Sequence, residues 1–507
     1  MPDLLNLFDT PQDDTTFTCV SSLENIKLPD LLRLCMGEAQ TTDFCTFLQR
    51  PTNAETIVDR QDFFKEFLSS GHLVDLFGKA RDELLQTQQL AEQYEKEKDS
   101  ITKLFLFYRV VEVYLTLLEE FLNNITDAKS NILSGFVAEI TAFCQDETVK
   151  SAARDANVIR RLLAKTISDY TFKIRHYGKN MLGYNSTPAN EKETSYLDTR
   201  LLELFSEFGM DTAHLPKPRG IDGDMLYSYI WLLAKNDKQI YGRLSDFHEQ
   251  YQQIYSRVMP VNHGDISTAL AVKTLLDYLN KHKIPLCYPQ VSSDRRVNIQ
   301  ECSDLSLLLQ KTEKIVPNDL ICSESERIFI LTGVNSGGKT TYLRGLGIAI
   351  TLFSAGLFIP ATAARIPFYS EMTALFAGGK AKGISRFLAE KKVVYDAIEN
   401  ATPTSLLLIN ELFSSTDEKT ALAEYGRMIN LLQQQTCFCL MITHFHNLTK
   451  WVQPYPDIVC LMAATNERNE RLYKIIRSRE RYSNVMEILE KYSLTYEQVE
   501  QRGNENG

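Results

Sequence analysis

Arg327-Ile-Phe-Ile-Leu-Thr-Gly-Val-Asn-Ser-Gly-Gly-Lys-Thr-Thr-Tyr-Leu-Arg344 is the stretch that decides how this chain is read. Its apolar run from Ile328 to Leu331 reads as a buried strand. Gly333-x-x-x-x-Gly338-Lys339-Thr340 follows and opens a helix, the strand–loop–helix context that a P-loop requires. Glycine lets the backbone take positive φ and approach a phosphate closely. Successive amides and the helix N-terminus then supply positive partial charge. The candidate nucleotide-binding residues are Gly333, Asn335, Gly337, Gly338, Lys339, Thr340 and Thr341. Lys339 is placed to reach the β- and γ-phosphates, and Thr340 to offer its hydroxyl to Mg²⁺. The expected ligand is a nucleoside triphosphate with Mg²⁺. The competing reading, a chance match in a loop, is weakened by the flanking elements.

A second buried run, Ser405-Leu-Leu-Leu-Ile-Asn410-Glu411, ends in polar residues about seventy positions further on. Strands of this kind normally carry an Asp to the Mg²⁺ shell and then a Glu that orients and deprotonates water. Glu411 suits the second role. Asn410 stands in the first, where its amide oxygen can accept from a Mg²⁺-bound water but brings no charge. Taken alone, Asn-Glu is only a strand terminus. A third run, Cys437 to Thr443, ends in His444, which could contact a γ-phosphate. Between the first two runs, Gly378-Gly-Lys-Ala-Lys-Gly-Ile-Ser385-Arg-Phe387-Leu-Ala-Glu390 reads as a loop entering a helix, with Ser385 as a plain N-cap if nothing else supports it.

The chain has 507 residues, enough for two to four domains, with a formal charge of −10. That balance argues against a surface that coats polyanions wholesale, so nucleic-acid contacts must come from local basic patches. Ten cysteines occur without any CxxC pair, which fits reduced thiols in a cytoplasmic protein. The first residues lack the pattern of a signal peptide. The apolar segment Gly345 to Pro360 is short and glycine-interrupted, and is expected to be a helix buried against a sheet rather than a membrane span. Helical periodicity fills the N-terminal half: Glu83–Asp99, Leu104–Leu122, Ala128–Phe143, Asn157–Tyr177, Asp198–Phe208, Asp224–Ala234, Leu244–Val258 and Asp265–Lys283. Loops are expected at 184–193 and 215–220. From Ile284 the pattern changes to short apolar runs between helices, the mark of an α/β domain.

Together these residues resemble the MutS family of ABC-type ATPases. Thr332-Gly-Val-Asn335-Ser-Gly337-Gly338-Lys339-Thr340-Thr-Tyr342-Leu-Arg344 looks like that family's P-loop, with its Asn, double Gly and trailing Tyr and Arg. Ile315-Val-Pro-Asn318-Asp resembles its strand-entry segment, Gly383-x-Ser385-x-Phe387-x-x-Glu390 its signature loop, and Leu408-Ile-Asn410-Glu411 its Walker B strand. Thr416 resembles the following loop and Thr443-His444 the switch histidine. Phe47-Leu-Gln-Arg-Pro51 and Ile57-Val-Asp-Arg-Gln61 look like the start of the family's helical lever. The chain departs from the pattern at Val334 (usually Pro), at Asn410 (usually Asp) and at Phe413-Ser-Ser415 (usually a Gly-Arg-Gly turn). Ile315 occupies the place of an adenine-stacking aromatic. No counterpart of the N-terminal mismatch-reading and connector domains is expected, and Ser483–Gln498 resembles a remnant of the helical tail.

The resemblance implies a multidomain protein: an N-terminal segment (1–29), an all-α lever with a reduced clamp (30–284) and an α/β ABC-type P-loop ATPase domain (285–507). It implies ATP as the nucleotide and a homodimer formed through the ATPase domains, with Ser385 of one copy capping the γ-phosphate bound by the other. In that reading Glu411 orients water, His444 couples phosphate state to dimer closure, and Thr340 and Asn410 serve Mg²⁺, Asn410 through water. The implied macromolecular partner is duplex, mismatched or branched DNA in mismatch repair or recombination, with repair proteins as further partners and no membrane. The place would be the cytoplasm, or the nucleoid in a bacterium. Lys173, Arg175 and Lys179 are candidates for gripping a DNA backbone, and a solvated helix face explains them equally well. Two alternatives stay open: an ATP-switched dimeric scaffold that barely hydrolyses, and an ABC-type ATPase regulating a protein partner with no nucleic-acid role.

Overall fold

The run Ile328–Gly333 is strand β6, and it is buried because parallel neighbours flank it on both edges. The computed structural model describes residues 5–8, 22–50, 52–177, 181–188, 237–259, 262–310, 315–376, 386–445, 447–452, 455–466, 468 and 470–477. β6 lies in a six-stranded sheet of order β12-β11-β6-β10-β9-β8. Its members are β8 (Glu371–Phe376), β9 (Ser405–Asn410), β10 (Phe438–Ile442), β11 (Ile458–Thr465) and β12 (Arg471–Arg477). All pairings are parallel except that of β12, which runs antiparallel to β11 at the edge. Buried parallel strands read as unbroken apolar runs because both faces are covered.

Alternation assigns those faces. Ile328, Ile330, Leu407, Ile409, Cys439 and Met441 pack with Val394 and Ile398 of helix Arg386–Glu399 and with Tyr425, Met428, Ile429 and Leu432 of helix Glu418–Gln435. Helix Lys339–Ser354, almost wholly buried, covers the other face, as expected for the glycine-interrupted apolar segment. Each large apolar side chain buried in these layers contributes about 1.5–3 kcal/mol. A smaller sheet of order β3-β7-β4-β5 joins Gln290–Ser292, Ala363–Pro367, Val297–Cys302 and Asn318–Cys322.

The contacts divide the chain into two units, one holding residues 71–129 and 133–266, the other 8–70, 130–132 and 267 onward. The second unit therefore includes four helices that the sequence reading assigns to the lever, or to the segment before it: α1 (Ser22–Asn25), α2 (Leu28–Met36), α3 (Glu38–Leu48) and α4 (Ala54–Ser69). The reason is a set of long-range hydrogen bonds. Ser22 Oγ donates to Met372 O (3.2 Å) and accepts from Ala374 N (2.8 Å), so α1 covers the open edge of β8. Thr52 Oγ1 donates to Ser354 O (2.8 Å) and Gln61 Nε2 to Pro289 O (2.9 Å).

Among its described residues the first unit is helical apart from one ribbon. Its centre is α6 (Ser100–Asn124), apolar nearly all round and packed against α5 (Gly71–Lys96), α8 (Glu147–Asp169) and helices Lys238–Gln250 and Gln252–Val258. The expected helix Asn157–Tyr177 is cut short at Asp169. Tyr170–Tyr177 is instead strand β1, paired antiparallel with β2 (Met181–Pro188), part of which was expected to be loop. The Tyr, Thr, Phe and Ile content of 170–177 favours a pleated surface over a helix. Lys173 and Arg175 thus belong to a strand; Lys179, the expected helices 198–208 and 224–234, the loop 215–220 and the tail 483–498 lie outside the described residues. No helix among the described residues is long and apolar enough to cross a membrane.

Gly356 reports on how α4 packs. Its φ is 78°, and an added Cβ would lie 2.4 Å from Arg60 Cβ and 3.1 Å from Ile57 O. Gly356→Ala should lower stability by about 2–4 kcal/mol through overpacking and left-handed strain. Urea denaturation measures this; an unchanged midpoint would contradict the placement of α4 beside the end of helix Lys339–Ser354.

Candidate functional site

The carboxyl ends of β6, β10 and β9 are brought level by their registers. Ile442 pairs with both Leu331 and Asn410, and beyond it Thr443 N donates to Leu331 O (3.1 Å) while Glu411 N donates to Ile442 O (3.0 Å). Gly333, Thr443-His444 and Asn410-Glu411 therefore emerge side by side, at the strand ends where open α/β sheets bind ligands.

Between β6 and its helix the chain makes a tight loop. Gly333 and Gly338 have φ of 115° and 93°, Ser336 one of 60°, and Gly337 N closes a turn on Val334 O at 3.1 Å. A Cβ on Gly337 would lie 2.9 Å from Val334 O and 3.0 Å from Ala463 Cβ, so only glycine lets the loop fold this closely over β11. Asn335 and Ser336 are exposed at the tip. Lys339, 4% exposed, donates its ammonium to Gly333 O (2.9 Å) and Val334 O (3.1 Å). Burial lowers its pKa, and the nearby Glu411 carboxylate opposes that shift. The loop thus holds a cation against its own carbonyls, an arrangement that an anionic group can compete for.

Thr340 Oγ1 donates to Asn410 Oδ1 at 3.1 Å, which joins the first turn of the helix to the end of β9. Two uncharged oxygens converge there, and no group of three His, Cys, Asp or Glu that could hold a metal occurs among the described residues. That sparse oxygen set fits Mg²⁺, which keeps most of its waters and takes phosphate oxygens as ligands. Thr341 is half-buried beside Tyr342, whose hydroxyl donates to Asp319 O (3.0 Å).

Glu411 is half-buried with φ of 51°, and Phe413, fully buried, has φ of 61°. Both are left-handed and neither is glycine, so this turn must be held by its surroundings. Glu390 Oε2 accepts from Phe413 N at 2.8 Å, and Arg386 Nε donates to Glu390 Oε1 at 2.8 Å. The Phe413 ring packs on Phe387 and Tyr425, with centroids 5.4 and 5.6 Å apart. His444 is half-buried with its ring 4.0 Å from that of Phe445. Ser385 lies outside the described residues; the helix that follows it begins at Arg386.

One neighbour of the loop escapes the sequence reading. Tyr473 on β12 is 46% exposed with φ of 55°, and its Cδ1 would be 3.6 Å from a Cβ on Gly338. Asn318 holds this strand: its Nδ2 donates to Tyr473 O (3.0 Å) and its Oδ1 accepts from Ile475 N (2.7 Å). Nothing in the spacing of a single edge-strand aromatic points to this position.

Residues 329–499 match the family model for MutS domain V. Among curated proteins, the chain is 32% identical over 179 residues to the DNA mismatch repair protein MutS of Chlorobium limicola, covering 34% of this chain and 21% of that one. It is 30% identical over 168 residues to the DNA mismatch repair protein msh-2 of Neurospora crassa, covering 32% and 18%. To MutS of Acholeplasma laidlawii it is 27% identical over 232 residues, covering 44% and 27%. The matched part thus spans about a quarter or less of each relative's length. Over this C-terminal region the chain is similar to MutS proteins.

The edge strand that carries Tyr473 is anchored at its far end by a bidentate pair, Arg477 to Glu326, at 2.6 and 3.0 Å. The Arg477 guanidinium lowers the Glu326 carboxyl from 4.5 to about 2. A depressed carboxyl stabilises the fold above its unfolded value and loses that effect as pH falls through its folded value. Arg477→Ala should therefore cost about 1 kcal/mol at neutral pH, with solvent screening limiting the effect. The difference from the parent should shrink between pH 4.5 and about 2. Denaturation across that range checks it; a difference independent of pH would show that the pair does not anchor β12.

Proposed function

We propose that this chain is a MutS-type protein that binds and hydrolyses ATP in an ABC-type P-loop domain and couples that cycle to holding DNA. The observation that carries the reading is the Thr340–Asn410 hydrogen bond, because it puts a P-loop hydroxyl and the end of a Walker B-like strand at one point. Amides from Asn335 to Thr341 cradle the phosphates, and the Lys339 ammonium exchanges loop carbonyls for phosphate oxygens. Thr340 offers a direct ligand to Mg²⁺ and Asn410 an acceptor for a metal-bound water. When bound, Mg²⁺ neutralises charge on the β- and γ-phosphates. Glu411 takes the proton of the attacking water, and His444 reads the γ-phosphate from the end of β10. The exposed ring of Tyr473 gives the base a stacking surface that Ile315 cannot.

In this proposal two copies associate through their ATPase domains, and Ser385 of the second copy completes the site at the γ-phosphate. The partner is double-stranded DNA, including mismatched or branched forms, with repair proteins as further partners. Positions 173 and 175, basic and two apart on β1, are candidates for phosphate contacts at the end of α8. Asn410 favours a second reading, an ATP-switched scaffold with slow turnover, because the usual negative charge beside Mg²⁺ is missing.

Lys339→Ala should abolish ATP binding by calorimetry, and unchanged affinity would refute the assignment. Asn410→Asp should lower the Mg²⁺ concentration for half-maximal turnover and raise the rate, roughly ten- to a hundredfold, as changes around a metal's ligands do. Lower activity at every Mg²⁺ concentration would mean that Asn410 belongs to a differently built site. Fluorescence anisotropy on homoduplex, mismatched and four-way DNA, with and without ATP, should show affinity falling linearly with salt on logarithmic axes. An absence of binding at low salt would favour a protein-regulating ATPase.

A further inference from the structure

We infer that Glu390 is a positioning residue for the catalytic turn, tying helix Arg386–Glu399 to the backbone that follows Glu411; this rests on the ATPase reading above. The turn has an energetic need for such a tie. Glu411 and Phe413 both occupy left-handed backbone (φ 51° and 61°), where a side chain is disfavoured. A glycine-containing turn would adopt this conformation without help, but here the sequence is Glu411-Leu-Phe413-Ser-Ser415. The Glu390 carboxylate accepts from Phe413 N at 2.8 Å, a charge-assisted bond to the amide of the strained residue. Arg386 fixes the other carboxylate oxygen at 2.8 Å, and the Glu390 side chain is almost wholly buried.

The tie extends in both directions. Glu424, buried on helix Glu418–Gln435, receives Lys391 Nζ (3.0 Å) and Tyr395 Oη (2.8 Å), so the two helices are fastened together. On the same helix Tyr425 donates its hydroxyl to Leu412 O (3.0 Å) and packs its ring against Phe413 and Phe445, the latter in contact with His444. The turn after Glu411 is thus gripped at Leu412 by one helix and at Phe413 by the other. A displacement of helix Arg386–Glu399 would be felt at Glu411 through one hydrogen bond and one ring contact.

The test separates positioning from ATP binding. Glu390→Ala and Glu390→Gln are made in the full chain, with ATP affinity measured by calorimetry and turnover by phosphate release. Glu390→Ala should lower turnover by about tenfold or more, the order expected when a charge-assisted hydrogen bond is lost. ATP affinity should stay within about twofold of the parent, because Glu390 is not part of the phosphate loop. Glu390→Gln keeps an acceptor for Phe413 N and should recover most of the turnover. Arg386→Met, which leaves the carboxylate in place but loosens it, should give a smaller loss in the same direction and guards against an alanine variant that fails to fold. Unchanged turnover in Glu390→Ala, or a glutamine variant as impaired as alanine, would overturn the inference. Failure of the ATPase reading would look different: the parent itself would neither bind nor hydrolyse ATP.

Discussion

The 3.1 Å bond from Thr340 Oγ1 to Asn410 Oδ1 is the constraint on which the site depends. It can form only if β6 and β9 end at the same level with β10 between them, which the pairing of Ile442 with both Leu331 and Asn410 ensures. Because the strands are parallel and buried on both faces, a register slip would put the polar ends at different levels and turn every core side chain to the wrong face. The glycine loop, the buried Lys339 ammonium and the Glu411 turn all take their places from that alignment. Their chemistry follows from the sheet's packing rather than from any local propensity.

Departures from the expected motif pattern have local physical consequences. At Val334, where the resemblance expects proline, the loop's closure is unaffected, because the backbone carbonyl that accepts from Gly337 N and from Lys339 Nζ is one that proline would also supply. Asn410 accepts from Thr340 as an aspartate would but adds no charge, and the Glu411 carboxylate opposes the effect of burial on the Lys339 ammonium. The loss of glycines after Glu411 moves the cost of a left-handed turn onto Glu390, Phe387 and Tyr425. A turn without glycine thus draws side chains from two helices to hold the backbone that follows Glu411.

Legibility in the sequence followed locality. The loop at 333–341 was readable because strand, glycines and helix are contiguous, and Glu411 and His444 because each ends an apolar run. The helix at 345–354 could be read as buried because its apolar residues surround it. Residues 1–29 read as a segment before the lever and residues from 30 onward as lever, because a resemblance at 47–61 carries no information on what these residues pack against; Ser22, Thr52 and Gln61 find their partners roughly 230 to 350 residues away. Residues 170–177 were read as helix because their alternation of aromatic and β-branched residues is too short to separate the two periods. Tyr473, Asn318 and Glu390 act through contacts that no spacing encodes.

The central claim is that Thr340 and Asn410 serve one Mg²⁺–nucleotide complex. A double-mutant cycle tests it, with Mg²⁺-dependent ATP affinity measured by calorimetry for the parent, Thr340→Ala, Asn410→Ala and the double variant. Residues acting on one ion should show a coupling energy of about 1 kcal/mol or more. Strict additivity, with the two losses simply summing, would contradict the account.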